Sequence, residues 1–79
     1  MEKSKYTLMY MHFSNEHRFG IYDNDNKDWQ IDGLHCGTAF EVFYKGEWVP
    51  TRIEYGGGDW YLVGLPLHGL AMERLPVRL

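Results

Sequence analysis

The chain has 79 residues, with eight basic and eleven acidic side chains and a formal net charge of −3. This length corresponds to one small domain, residues 1–79, with a modest core, and the acidic balance argues against the broad basic surface that binds duplex DNA. Cys36 is the only cysteine, which excludes an intrachain disulfide framework. The apolar stretch near the start is too short for a membrane segment, so we expect a cytoplasmic protein without membrane association.

The first half of the chain predicts three short strands. Residues 6–13 are rich in aromatic and apolar side chains, which favours a strand, although a short helix would also fit. Residues 14–17 predict a turn, residues 18–22 a second strand and residues 29–32 a third. The intervening Asp- and Asn-rich stretch, 23–28, predicts a solvated turn because these side chains bond to their own backbone.

The second half predicts a three-stranded meander of residues 39–44, 47–55 and 60–65. Tight turns at 45–46 and 56–59 separate these strands, and regular turn spacing is typical of a small sheet or barrel. Pro50 and Pro76 lack the N–H that a central ladder needs, so each indicates an edge position or a bulge. Residues 70–74 leave room for one helical or 3-10 turn before a terminal strand at 75–79. We therefore expect an all-β barrel of about five to seven short antiparallel strands.

Three segments carry a resemblance to a known family. They read LHCGTAFEV from Leu34, GEWVPTRIEY from Gly46 and WYLVGL from Trp60. Together they resemble a small bacterial family of uncharacterised function found in mobile-element and phage-associated proteins. The resemblance implies a β-barrel and a bacterial or phage origin, without a substrate. More distantly, the hairpins entered at Trp48 and Trp60 resemble those of SH3-like and Tudor-like barrels, although the peptide-binding motifs of SH3 domains are missing.

The aromatic residues of the meander are the candidate binding residues. Strict alternation places Thr51, Ile53 and Tyr55 on a core face of the second strand and Trp48 on the other face. In the third strand the same alternation places Tyr61, Val63 and Leu65 on one face and Trp60 on the other. Trp48 and Trp60 would then lie on the less buried side, or else cap the ends of the barrel as core residues. We expect the binding residues to be Trp48, Arg52, Tyr55, Trp60 and Tyr61, and the sequence leaves open whether the two tryptophans are exposed or in the core.

No motif in the sequence points to catalysis, a cofactor or a metal. Neighbours in a strand point to opposite faces, so His35 and Cys36 are expected to be structural, with Cys36 buried or half-buried. The stretch that starts at Asp23 begins like a calcium loop, but Lys27 stands where that loop needs an oxygen ligand. The glycines 56–58 are followed by a strand, whereas phosphate-binding loops lead into a helix.

The sequence therefore favours a non-enzymatic binding module whose partner is another protein. A barrel of this size has little room for an enclosed substrate pocket. Single-stranded nucleic acid stacking on Trp48, Trp60 or Tyr61 beside Arg52 is an alternative that the net charge disfavours. A second alternative is a homo-oligomer that pairs through a sheet edge.

Overall fold

The computed structural model describes residues 5–12, 15 and 17–79. In this part of the chain seven strands and one 3-10 turn follow one another. The strands are β1 (Tyr6–Tyr10), β2 (Phe19–Asp23), β3 (Asp28–Ile31), β4 (Ala39–Tyr44), β5 (Glu47–Gly56), β6 (Asp59–Leu62) and β7 (Pro76–Arg78), with the 3-10 turn at Gly69–Met72. The predicted all-β class, the strand number and the 3-10 turn are confirmed. Phe13, together with parts of the predicted 14–17 turn, lies outside the described residues.

All neighbouring strands pair antiparallel in the order β3-β2-β1-β7-β4-β5-β6. The β1–β2, β2–β3, β4–β5 and β5–β6 pairs are hairpins between consecutive strands. The terminal strand β7 then inserts between β1 and β4 and joins the two halves of the chain into one sheet. The two halves are therefore held together by pairing of β7 with strands that are distant from it in the sequence.

The connection between β3 and β4 closes the curled sheet on itself. The backbone N–H of Leu34 donates to the Phe19 carbonyl of β2 (2.7 Å), and that of Gly37 donates to the Ile53 carbonyl of β5 (2.8 Å). The connection thus spans from one half of the sheet to the other, between strands that do not pair with each other. This bridge completes the barrel and brings the start of β2 close to the β5–β6 hairpin.

The core is a single cluster to which nearly every strand contributes. Its fully or nearly fully buried members are Leu8, Phe19, Ile21, Leu34, Phe40, Val42, Ile53, Trp60, Leu62, Met72 and Val77. Met72 enters this cluster from the 3-10 turn, which explains why so short an element is held in place. No helix within the described part of the chain has the length and apolar character that crossing a membrane would require.

The two prolines that were expected at edges have different surroundings. Pro50 pairs with Glu41 of β4, but β6 begins its ladder with β5 only at Ile53, so the other side of Pro50 needs no backbone donor. The edge prediction for Pro76 is wrong, because β7 lies in the middle of the sheet. Proline is tolerated there because the ladder with β4 involves only Val77 and Arg78.

Candidate functional site

An open groove of about 690 Å³ lies where the closing connection meets the β5–β6 hairpin. Its lining comes from three separate parts of the chain: the segment before β2, the β3–β4 connection and the hairpin. The lining residues are His17, Arg18, His35, Cys36, Tyr55 and Trp60. Aromatic and potentially cationic side chains dominate this surface, and none of the described residues that line it carries a carboxylate.

Trp60 forms the floor of the groove. Its side chain is 5% exposed and belongs to the core cluster. The indole Nε1–H donates to the backbone carbonyl of His17 at 2.7 Å. The buried N–H group therefore has a hydrogen-bond partner. The same bond fixes the segment before β2 against β6. Trp60 is therefore a structural residue that supports the groove.

The expected grouping of Trp60 on a less buried face is wrong. In the β5–β6 hairpin Tyr55 lies opposite Trp60 and Ile53 lies opposite Leu62. Directly opposite residues of an antiparallel pair share a face, so Trp60 and Leu62 point to the core with Ile53. The alternative that Trp60 is a core residue is the correct one, and the turn between the strands comprises residues 57–58 rather than the predicted 56–59.

Tyr55 is the exposed aromatic of the groove. It is 47% exposed although Thr51 and Ile53, on the same face of β5, are buried. Tyr55 lies at the end of the strand, beside the turn, where the barrel no longer covers it. Its ring meets the Trp60 ring edge-on with the centroids 5.0 Å apart, and the His17 ring at 6.1 Å. Tyr55 thus presents an ordered aromatic surface to solvent.

Arg18 connects the groove floor to the closing connection. Its guanidinium lies 5.8 Å from the centre of the Trp60 ring, a cation–π distance. Its Nη1 donates to the backbone carbonyl of Leu34 at 2.9 Å. These contacts hold a permanent positive charge within the groove in a defined orientation.

His17 lies between this groove and a smaller depression. Its Nδ1 is 2.9 Å from the Tyr10 hydroxyl, and its Nε2 is 3.8 Å from a carboxylate oxygen of Asp59. The second oxygen of Asp59 is 3.6 Å from Nδ1 of His68. The depression on that side encloses about 220 Å³ and is lined by Tyr10, His17, Phe19, Asp59, Gly69 and Leu70. His17 therefore contributes to two adjacent cavities, of which the smaller is the more apolar.

His35 and Cys36 differ from what was expected. Both are exposed and both line the groove. They lie in the β3–β4 connection, where the backbone N–H and hydroxyl of Thr38 donate to the His35 carbonyl at 3.1 and 2.8 Å. Because this segment is a turn, the alternation of a strand does not apply, and the prediction of opposite faces and a half-buried thiol is wrong.

Of the five predicted binding residues, the groove brings together only Tyr55 and Trp60. Trp48 is half-buried against the ring of Phe43, under the Arg78 guanidinium 4.5 Å from its ring centre. Arg52 is paired with Glu54 at 2.9 Å and lines a separate depression of about 270 Å³. Tyr61 is 38% exposed, on the opposite face of β6 from Trp60. A combined patch of all five residues does not form.

The sequence-based prediction missed His17, Arg18, His35 and Cys36 as groove residues. The distance along the chain between these residues and Tyr55 explains the omission, since only the closed barrel brings them together. Among the described residues, no group of three or more His, Cys, Asp or Glu side chains has a geometry suited to a metal ion.

Comparison with known proteins agrees with the fold. A protein from Ruminococcus gnavus, whose crystal structure was determined by the Northeast Structural Genomics Consortium, is 41% identical, and the match covers 94% of this chain and 97% of that one with a TM-score of 0.73. The comparison with curated proteins finds no match. A family model described as "Domain of unknown function (DUF5348)" matches residues 9–79, all but the first eight residues. The resemblance to a small uncharacterised family is thereby confirmed, and the chain belongs to this family of domains of unknown function.

Proposed function

We propose that the protein is a non-enzymatic binding module that takes a short segment of another protein into the groove above Trp60. The observation that carries this proposal is the convergence of Tyr55, His17, Arg18 and His35 on one open groove of about 690 Å³. Tyrosine and arginine are enriched at protein-binding surfaces, and the groove contains an exposed Tyr55 and a half-buried Arg18. A volume of this size accommodates a few side chains of an extended peptide.

The shape of the groove supports binding rather than catalysis. It opens broadly to solvent, whereas most catalytic sites exclude water to strengthen the electrostatic contacts of the transition state. The ordered side chains, Trp60 and Arg18, are bonded to backbone carbonyls of the domain itself. These contacts support a pre-formed surface, which lowers the entropy cost of binding a partner. As part of the same proposal, we place the protein in the bacterial cytoplasm, encoded by a phage or another mobile element.

Single-stranded nucleic acid is the less favoured partner. Nonspecific binding to a phosphate backbone needs a track of cations. In this protein Lys5, Arg52 and Arg78 each lie within 4.0 Å of a carboxylate oxygen, of Asp23, Glu54 and Glu41 respectively. Outside the groove, three of the six described Lys and Arg side chains are thus locally neutralised.

Selection from a random peptide display library tests the proposal. We expect the folded protein to enrich peptides that bind it, and Tyr55→Ala to weaken these peptides about tenfold or more, since exposed aromatic anchors dominate such interfaces. Tyr61→Ala is the matched control, because Tyr61 is also exposed but faces away from the groove. Failure to enrich any peptide, or equal losses in both variants, would contradict a peptide-binding groove.

A further inference from the structure

We propose that the carboxylates of Asp28 and Asp59 close the two free edges of the sheet against pairing with a second copy of this chain. The edge strands are β3 and β6, and both begin with an aspartate followed by a tryptophan. An edge strand presents unpaired backbone groups on which another strand can assemble. This inference goes beyond the proposed function, because it concerns the edges of the sheet and not the occupant of the groove.

The outward-facing backbone groups of β6 follow from its pairing with β5. The Val63 N–H donates to the Arg52 carbonyl at 3.1 Å, and hydrogen-bonded pairs recur at every second residue of an antiparallel ladder. The backbone groups of Trp60 therefore point away from β5, towards the outer edge. There the Trp60 N–H donates to the Asp59 carboxylate at 2.9 Å, and a single antiparallel bridge with His68 covers the next residue of β6.

The outward-facing donor of β3 is identified in the same way. The Asn24 N–H donates to the Lys5 carbonyl at 2.8 Å, so the even-numbered residues of β2, Tyr22 among them, bond to β1. Trp29 lies opposite Tyr22 and therefore does not exchange backbone hydrogen bonds with it. The Trp29 N–H points to the free edge, where it donates to the Asp28 carboxylate at 2.8 Å.

These hydrogen bonds place a barrier in front of an incoming strand. Because β3 has four residues and its register with β2 shifts beyond Trp29, a strand that paired there would depend on the Trp29 N–H. It would have to displace the Asp28 carboxylate and take this charge out of water. Charged side chains at sheet edges are a common means of preventing such pairing. In this protein the same two residue types do so at both ends of one sheet.

Static light scattering of Asp28 variants tests the inference. Asp28 is exposed, and the hydrogen bond described for its carboxylate is the one to Trp29, so its replacement should leave the fold intact. We expect the wild type to keep the mass of a monomer as its concentration rises, and Asp28→Ala to increase in mass towards a dimer. Asp25→Ala, in the exposed β2–β3 turn, is the control for lost charge and should stay monomeric. A dimeric wild type, or a monomeric Asp28→Ala variant over the same range, would overturn the inference.

Asp28→Asn separates the hydrogen bond from the charge, since asparagine keeps a carbonyl acceptor and has no charge. We expect this variant to stay monomeric. By NMR, at concentrations where all variants are monomeric, the Trp29 amide should exchange with solvent about two- to tenfold faster in Asp28→Ala than in the wild type or Asp28→Asn. Equal exchange rates in all three proteins, or self-association of Asp28→Asn as strong as that of Asp28→Ala, would show that this hydrogen bond does not close the edge.

Discussion

Trp60 shows how a hairpin register decides between two roles of one aromatic side chain. Strand alternation left it either on the less buried side or in the core, and the register of the β5–β6 hairpin places it in the core. The indole also carries the hydrogen bond to the His17 carbonyl. Substituting Trp60 would thus disturb both the core and the groove, so Tyr55 is the appropriate residue for binding studies.

We predict that Trp60→Ala lowers the free energy of unfolding by about 3–5 kcal/mol, a large part of the roughly 4–12 kcal/mol expected for a domain of this size. Trp60→Phe, which keeps an aromatic ring but loses the indole N–H, should cost about 1–3 kcal/mol. Urea denaturation followed by circular dichroism measures both. Tyr61→Ala is the surface control, with a cost of about 1 kcal/mol or less. A Trp60→Ala variant as stable as this control would be inconsistent with a core position.

Trp48 illustrates a different residue-level effect. Alternation placed it on the outer face of β5, and the structure finds it half-buried there, because the Arg78 guanidinium stacks on it and Phe43 packs beside it. Arg78 in turn pairs with Glu41 at 2.7 Å, and this hydrogen bond, which outweighs partial burial, lowers the pKa of the Glu41 carboxyl. Residues of β4 and β7 thus combine to cover a ring of β5 that would otherwise be exposed.

At the scale of the element, the turn between β2 and β3 is more ordered than a solvated loop. The Asp23 carboxylate is buried and accepts hydrogen bonds from the backbone N–H groups of Asp25 and Asn26, at 3.0 and 3.2 Å, and from the Asn26 side chain at 2.8 Å. Burial by itself would raise the pKa of Asp23, but these hydrogen bonds and the charge of Lys5 together lower it below its ordinary value. The predicted turn is present, but Asp23 caps it from inside the domain.

A lowered pKa in the folded state makes this turn sensitive to acid. The ionised Asp23 stabilises the fold above its ordinary pKa of 3.8, and the contribution is lost as the pH falls through that value towards the lower folded pKa. We predict that Asp23→Asn is less stable than the wild type near pH 6 and loses less stability between about pH 5 and pH 2. Urea denaturation across this range measures the effect.

Asp25→Asn is the matched control for this turn. Asp25 is exposed, and its backbone N–H rather than its carboxylate makes the described turn contact. Its replacement should leave the pH dependence of stability close to that of the wild type. If both variants had the same pH dependence as the wild type, capping by Asp23 would not account for the acid sensitivity.

At the scale of the whole molecule, the single core cluster joins both halves of the chain. Leu8 of β1, Val42 of β4 and Val77 of β7 all belong to it, and β7 pairs with both of the other two strands. We predict one cooperative unfolding transition, with superimposable curves from tryptophan fluorescence and circular dichroism. Two separated transitions would mean that the β1–β3 and β4–β6 units fold independently.

The dependence on protein concentration is the control for this transition. A homo-oligomer that paired through the edge strand β3 would unfold with a midpoint that rises with protein concentration. A monomeric binding module would have a constant midpoint. The same measurement therefore tests the alternative of a homo-oligomer.

The sequence by itself determined the all-β class, the hairpins and the 3-10 turn. These features depend on local signals, namely alternating apolar residues and glycines at turns such as Lys45–Gly46, where both residues adopt positive φ angles of 50° and 86°. Tertiary structure decided which face of β6 is buried, because a shift of the hairpin register by one residue would turn every side chain of the strand to the other face. It also decided the position of β7 and the composition of the groove. Arg18, His35 and Tyr55 are distant in the sequence, and only closure of the barrel through the β3–β4 connection places them on one surface.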